Sequence, residues 1–353
     1  MISPFDHSLL SGFVGDDEIA PQFSAAAEIE EFCWFEEALA RAEAAEGVIP
    51  APAAEAIAAA SQNFAPDLAA VRVATARDGV VVPELVRQLR AAIGEPHAKH
   101  LHFGATSQDV VDTGLVRRLA PVLALFDGRL TALIGTLHSL DARFGTNPLM
   151  GLTRMQEALP ISVADRLAIW RLPLERHLQR LGELQPRLIV LQFGGPVGTL
   201  DKLGDKGSAV AHRLGAALDL PVPARPWHSQ RDSLAELASW LSLVTGSLGK
   251  LGVDVTLLAQ NAVGGITLAA GGTSSAMPHK HNPVAAEVLV ALARYNATLL
   301  PAMHQALLAE GERSGAAWTL EWLTLPSMVM TTGAALRTAA RLLDDVTVLG
   351  KKA

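Results

Sequence analysis

The segment Gly271-Gly-Thr-Ser-Ser-Ala-Met-Pro-His-Lys-His-Asn-Pro283 joins two apolar stretches, yet it carries hydroxyls, two His, a Lys and an Asn. Its paired glycines allow unusual backbone angles or a hinge. Pro283 can open a helix, and the free N–H groups of a helix start favour an anion nearby. Lys280 adds a full positive charge. These residue types suit a carboxylate held beside the hydroxyls of Ser274 and Ser275. The plain alternative is a polar connector, but polar loops this dense between apolar helices usually carry function.

Other chemistries find little support. The chain has 11 His, but none show H-x-x-x-H spacing, and its single cysteine rules out C-x-x-C. His279 and His281 are two apart on a loop, where they diverge. No G-x-G-x-x-G or G-x-x-x-x-G-K-[ST] run cradles a nucleotide. A cofactor-free, metal-free site is therefore expected. The net charge is −7 with no Lys/Arg cluster, which argues against nucleic acid and anionic membrane surfaces. Cys33 has no partner for an internal disulfide and reads as core filler in a reducing compartment. The N-terminal residues lack a basic start and a long apolar run, so no signal peptide is expected and the location expected is cytoplasmic. Val255–His279 is free of Asp, Glu, Lys and Arg, but Gln260, Asn261 and two glycine pairs interrupt it. It reads as a buried helix entering a loop, not a membrane span.

The elements that must position this chemistry are helices. Helical spacing of apolar residues covers Ser24 to about Glu46, a stretch after Pro52, Asp67–Ala76 and Pro83 to about Gly94. Gly94–His97 is a loop and the natural boundary between an N-terminal helical domain, 1–98, and a central long-helix bundle, 99–353. Thr106 caps a helix running to about Phe144, roughly 50 Å long at 1.5 Å per residue. Further long helices are expected over 160–191, 232–262, 283–308 and 325–343, with kinks at Pro121 and Pro173. Val71, Val80–Val82 and Ile189–Val190 are the only β-like patches. Only 18% of residues are charged, below the roughly 25% of ordinary soluble chains. Five long helices with so few charges need partner helices, so the all-α chain is expected to share a bundle between subunits.

Ser274-Ser275-Ala276-Met277-Pro278-His279-Lys280-His281-Asn282-Pro283 resembles the fumarase/aspartase superfamily signature S-S-x-M-P-x-K-x-N-P at every fixed position. His102-Phe-Gly-Ala-Thr106-Ser107-Gln-Asp109 resembles its first motif. Thr153-Arg-Met-Gln156-Glu-Ala-Leu-Pro160 resembles its second, usually T-H-x-Q-x-A-x-P. The resemblance implies a tetramer whose sites gather segments from several subunits. It also implies proton transfer at the carbon beside a substrate carboxylate, through an aci-carboxylate intermediate. By resemblance Ser274 carries the proton, with Lys280 as its catalytic partner. Substrate is held by His102, Thr106, Ser107, Thr153, Arg154, Gln156, Arg231, Ser275, Met277, Asn282 and Arg313.

Departures from the pattern select a branch. Arg154 replaces the second-motif His that handles a leaving-group proton in fumarases and adenylosuccinate lyases, and Arg stays protonated. Lactonisation releases no leaving group, and Arg154 can instead clamp a carboxylate. The chain thus resembles the cycloisomerase branch, which implies conversion of 3-carboxy-cis,cis-muconate to 4-carboxymuconolactone in aromatic-acid (protocatechuate) breakdown. Most of the family's C-terminal domain is expected to be absent. Trp227-His-Ser-Gln-Arg231-Asp232 resembles a family segment in which Arg binds substrate; the plainer alternative is an ion pair with Asp232. Glu312-Arg313-Ser314, followed by Trp318 and Glu321-Trp322, resembles a cycloisomerase segment near the site; the alternative is an intersubunit salt bridge. The rival functions are an adenylosuccinate lyase-like enzyme and a catalytically silent structural homologue.

Overall fold

The structure is a computed structural model describing residues 3–273, 277 and 281–350. A short helix α1 (Ser11–Val14) leads into α2 (Ala25–Ala45), α3 (Ala51–Gln62), α4 (Leu68–Asp78) and α5 (Val82–Ile93). Five long helices follow: α6 (Ser107–Phe144), α7 (Val163–Leu188), α9 (Asp232–Leu258), α10 (Val284–Gln305) and α11 (Gly315–Asp344), with α8 (Gly207–Leu218) between the second and third. Three two-stranded antiparallel ribbons decorate them. They pair β1 (Pro148–Thr153) with β2 (Gln156–Ser162), β3 (Ile266–Leu268) with β6 (Val346–Leu349), and β4 (Gly272–Thr273) with β5 (His281–Asn282).

The long helices form the bundle that the apolar spacing demands. On α6, Val116, Leu119, Leu123, Phe126, Leu130, Leu133, Leu137 and Leu140 recur every three or four residues and are all buried. Cutting one such leucine to alanine costs about 2–5 kcal/mol. Helix α9 packs against α7, α10 and α11, and α6 closes the bundle against α7 and α11. The α9–α10 approach is unusually close. A β-carbon on Gly252 would lie 2.5 Å from the Ala286 carbonyl oxygen, and one on Gly249 would lie 2.5 Å from the Ala293 β-carbon. Helix α2 crosses onto α6 and α8, anchoring the N-terminal helices to the bundle.

The helical expectation holds, with corrections. As expected, α6 runs on past Pro121 and α7 past Pro173. Val71 is in α4, Val82 opens α5 and Ile189 caps α7, so none of the β-like patches is a strand. The strands lie elsewhere. The β1–β2 ribbon is largely exposed on both faces, so it lacks the apolar–polar alternation that marks a half-buried strand. Helix α7 starts at Val163, not Pro160, because Ser162 and Asp165 form a reciprocal cap. Helix α11 starts ten residues before the expected Leu325, where the Ser314 hydroxyl accepts from the Ala317 N–H.

By length and composition, α6, α9 and α10 are each long and apolar enough to cross a membrane. From Val255 the chain leaves helix α9 at Leu258 and, as far as Thr273, continues as turn and strand.

Candidate active site

The first motif is held by one buried carboxylate. Asp109, in the first turn of α6, accepts from the backbone N–H of Thr106 (3.0 Å), Gly194 (3.0 Å) and Gly195 (2.9 Å), from Gln192 Nε2 (3.3 Å) and from His228 Nε2 (2.7 Å). Acidic side chains suit a helix start. Here the acid also ties the turn 102–106 to the loop after α7 and to the entry of α9.

A second carboxylate lies one turn along. Asp112 accepts from Gln108 Nε2 (3.1 Å), Trp318 Nε1 (3.1 Å) and both Nη atoms of Arg231 (2.5 and 3.1 Å). Arg231 also donates to both oxygens of Glu321 (2.9 and 2.5 Å), and its guanidinium lies 4.8 Å from the Trp227 ring centre. Burial opposes the Arg231 charge, but the two carboxylates outweigh it and hold the group firmly protonated. Burial raises the Glu321 carboxyl; Arg231 only partly offsets this, and the charge of Asp112 adds to the rise.

This corrects the expectation for Arg231. It is 4% exposed and spends its donors inside the chain, on Asp112 and Glu321 rather than on Asp232. It braces the site and is not free to grip substrate.

Arg313, by contrast, is exposed and aimed at the first motif. Its Nη1 donates to Thr106 Oγ1 (2.6 Å) and its Nε to Gln108 Oε1 (3.3 Å). Gln108 in turn donates to the His228 carbonyl (2.9 Å). A cationic fork is therefore pinned over the start of α6, beside half-buried Ser107. His102 stands just ahead of it with a positive φ of 59° and its Nδ1 2.5 Å from Glu36 Oε1.

The second motif occupies the tip of the β1–β2 ribbon. Thr153 pairs with Gln156, and the two residues between them, Arg154 and Met155, have φ of +49° and +66°. Positive φ at both central positions matches a type I′ turn, which favours Asn-Gly rather than Arg-Met. Thr153, Arg154 and Gln156 are exposed, and the apolar neighbours Met155 (65%) and Leu159 (73%) are more so than any packing within the chain requires.

The third motif is reached through β4–β5. Gly272 sits opposite Asn282, and a β-carbon on Gly272 would meet Val284 Cγ2 at 2.4 Å, so only glycine closes this base. Asn282 is half-buried one residue before the Pro283 cap of α10, and Met277 is exposed. Ser274, Ser275 and Lys280 lie outside the described residues. Among the described residues, no hydrogen bond or ion pair joins the first motif to the second, and no group of three or more His, Cys, Asp or Glu side chains could hold a metal ion.

Asp112, Gln192, His228 and Glu36 were missed by motif reading. Glu36 had a signal: it shares the helical apolar stripe of Phe32, Phe35 and Leu39, where an acid is out of place. Asp112 and Gln192 carried none, because their partners are distant in sequence.

A family model described as "Lyase" matches residues 14–295. The chain is 45% identical over 321 residues to a 3-carboxy-cis,cis-muconate cycloisomerase of Pseudomonas aeruginosa, covering 89% of this chain and 70% of that one. The crystal structure of 3-carboxy-cis,cis-muconate lactonizing enzyme from Pseudomonas putida superposes with a TM-score of 0.91 at 41% identity, covering 97% and 77%. That of beta-carboxy-cis,cis-muconate cycloisomerase from Acinetobacter calcoaceticus gives 0.89 at 32% identity, covering 96% and 78%. The chain belongs to the lyase family of the fumarase/aspartase superfamily.

Proposed function

We propose that this enzyme is a 3-carboxy-cis,cis-muconate cycloisomerase, an intramolecular lyase that forms 4-carboxymuconolactone in protocatechuate breakdown. The observation that carries the reading is Arg154. The exposed turn residue of the second motif is a permanent cation, able to hold a carboxylate and unable to return a proton to a leaving group. Lactonisation needs no such return, because the nucleophile is the substrate's own carboxylate.

In this reaction a carboxylate oxygen of the substrate bonds to the carbon at one end of a double bond. The electron pair moves into the neighbouring carboxylate as an aci-carboxylate, and Ser274 delivers a proton to the carbon between them. Lys280 and Asn282 hold the carboxylate where charge builds, and stabilising that charge is usually the largest part of such catalysis. Arg313, Arg154, Ser107, Thr153 and Gln156 hold the rest of a trianionic substrate. Ser275 and Met277 contact the substrate too, and Thr106 receives Arg313.

The active unit is a homotetramer. The exposed apolar ribbon tip and the long apolar helices α6, α9 and α10 are the surfaces that such an assembly would cover. Helix α6 also carries Asp109, Asp112 and Arg118 buried in protein contacts, which suits a water-soluble bundle and a cytoplasmic enzyme. The chain divides at residues 94–98 into an N-terminal helical domain and the bundle.

The test is ultraviolet absorbance of 3-carboxy-cis,cis-muconate with purified protein, without added metal or nucleotide. The diene absorbance should decay with the parent and persist with Ser274→Ala. A folded parent that leaves it unchanged would remove the cycloisomerase reading and favour an adenylosuccinate lyase-like substrate.

A further inference from the structure

Helix α2 buries Phe32, Phe35, Leu39 and Ala42, and two acids sit in the same stripe, two turns apart. Glu36 and Glu43 are 1% and 0% exposed. A carboxyl among such neighbours is costly unless something compensates. Both oxygens of Glu43 lack a hydrogen-bond partner, as does Glu36 Oε2. Burial, and then the charge of Glu36, push the Glu43 carboxyl up to about 9, so it is neutral at pH 7. Glu36 Oε1 lies 2.5 Å from His102 Nδ1.

His102 opens the first motif in a left-handed backbone conformation, φ +59°, that side chains with a β-carbon seldom adopt. Such geometry persists where the surroundings over-determine it. The ring is 14% exposed, and among the described residues Nδ1 alone makes a hydrogen bond. Glu36 on α2, Arg90 on α5 and Asp109 on α6 are the charged groups that act on it, with Glu43 acting through its interaction with Glu36. Burial of the ring lowers its pKa. The charge and hydrogen bond of Glu36, with help from Asp109 and against Arg90, reverse that and raise it.

We propose that Glu36 is a positioning residue: it grips His102 by Nδ1 and so presents Nε2–H as a fixed donor to a carboxylate of the substrate. The proposal rests on reading this site as a polycarboxylate site. The protonation state is the chemical point: a ring that gives its Nδ1–H to Glu36 carries a hydrogen on Nε2 as well only when it is doubly protonated, the form that the carboxylate favours.

The test uses the full-length protein labelled with ¹⁵N-histidine, with His102 assigned by comparison with His102→Gln. In the parent both ring nitrogens should stay protonated to a pH above 6.5, the ordinary histidine value. In Glu36→Gln the ring should lose its proton about one pH unit or more lower, roughly tenfold in equilibrium constant. Tricarballylate, a polycarboxylate probe, should shift Nε2 in the parent and need about tenfold more to do so in Glu36→Gln at neutral pH. With 3-carboxy-cis,cis-muconate, KM should rise in the variant with kcat little changed, and Glu36→Asp should recover part of the loss. A ring that titrates alike in parent and variant overturns the proposal, as does a parent whose Nε2 ignores the probe. The second result needs no variant and stands even if Glu36→Gln fails to fold. Failure of the parent to turn over the muconate, with both NMR results as expected, would instead refute only the substrate assignment.

Discussion

The first and second motifs are built on opposite plans within one chain. Around Thr106, side chains brace one another: buried Asp109 takes five donors, buried Asp112 and Glu321 share Arg231, and exposed Arg313 is held on Thr106 and Gln108. Around Arg154, side chains stand in solvent on a two-residue turn with positive φ. The first region is preorganised by its own chain. The second is presented outward, with Met155 and Leu159 left exposed by this chain. Catalytic groups must be held within a fraction of an ångström; internal bracing meets that demand in the first region, and the proposed assembly would meet it in the second.

The sharpest way to break this contrast is to strip the bracing. Arg231→Met leaves Asp112 and Glu321 without their cation, and removing one partner of a buried pair costs about 3–5 kcal/mol. Urea denaturation should show a loss of that size, with activity falling as the site loosens. A loss below about 1 kcal/mol would mean the network is ornamental. Asp109→Ala should fall in the same range, since it orphans three backbone donors and His228.

Exposed cations should behave in the reverse sense. Arg154→Ala and Arg313→Ala should each change stability by no more than about 0.5 kcal/mol. Each should lower kcat/KM about tenfold to a hundredfold, the value of a lost charge-assisted hydrogen bond. A stable parent-like fold with unchanged kcat/KM would remove that arginine from the site.

A pH series sharpens the picture of the buried acids. Glu43 has a folded-state value of about 9 against an ordinary 4.5, so the folded state binds the extra proton. Stability from this group is full below pH 4.5 and declines as pH rises towards 9. Glu43→Gln should flatten that decline in denaturation curves measured across the interval. An unchanged slope would place the proton elsewhere.

The smallest expected effect is at the turn itself. Met155→Gly relieves a left-handed residue at φ +66°, offset by the entropy glycine brings, for a net gain of up to about 1 kcal/mol. Thermal melting should rise slightly or stay level. A clear drop would show that the Met155 side chain is already packed in an interface.

What the sequence made legible follows physical reach. The long helices were readable because apolar spacing on α6 or α9 is a local property, and the caps at Thr106 and Pro283 are local too. The motif segments were readable as chemistry because hydroxyls and a lysine between apolar stretches stand out. Helix α8, the β1–β2 ribbon and the early start of α11 were not, since a short helix and a two-faced exposed ribbon leave no strong periodicity. Arg231 shows the limit most plainly. Its type and setting suit substrate binding, but its partners Asp112 and Glu321 lie 119 and 90 residues away, and only the fold reveals them.

The most direct test of the contrast is subunit complementation. Arg154→Ala and Arg313→Ala proteins are purified separately, mixed, dissociated in mild denaturant and reassembled, and muconate turnover is read by absorbance. If the second motif of one chain serves the first motif of another, hybrids contain some sites with both arginines intact, and activity should rise well above either variant alone. Activity no greater than the average of the two, from a mixture shown to contain hybrid assemblies, would place both arginines in one chain's site and contradict the account.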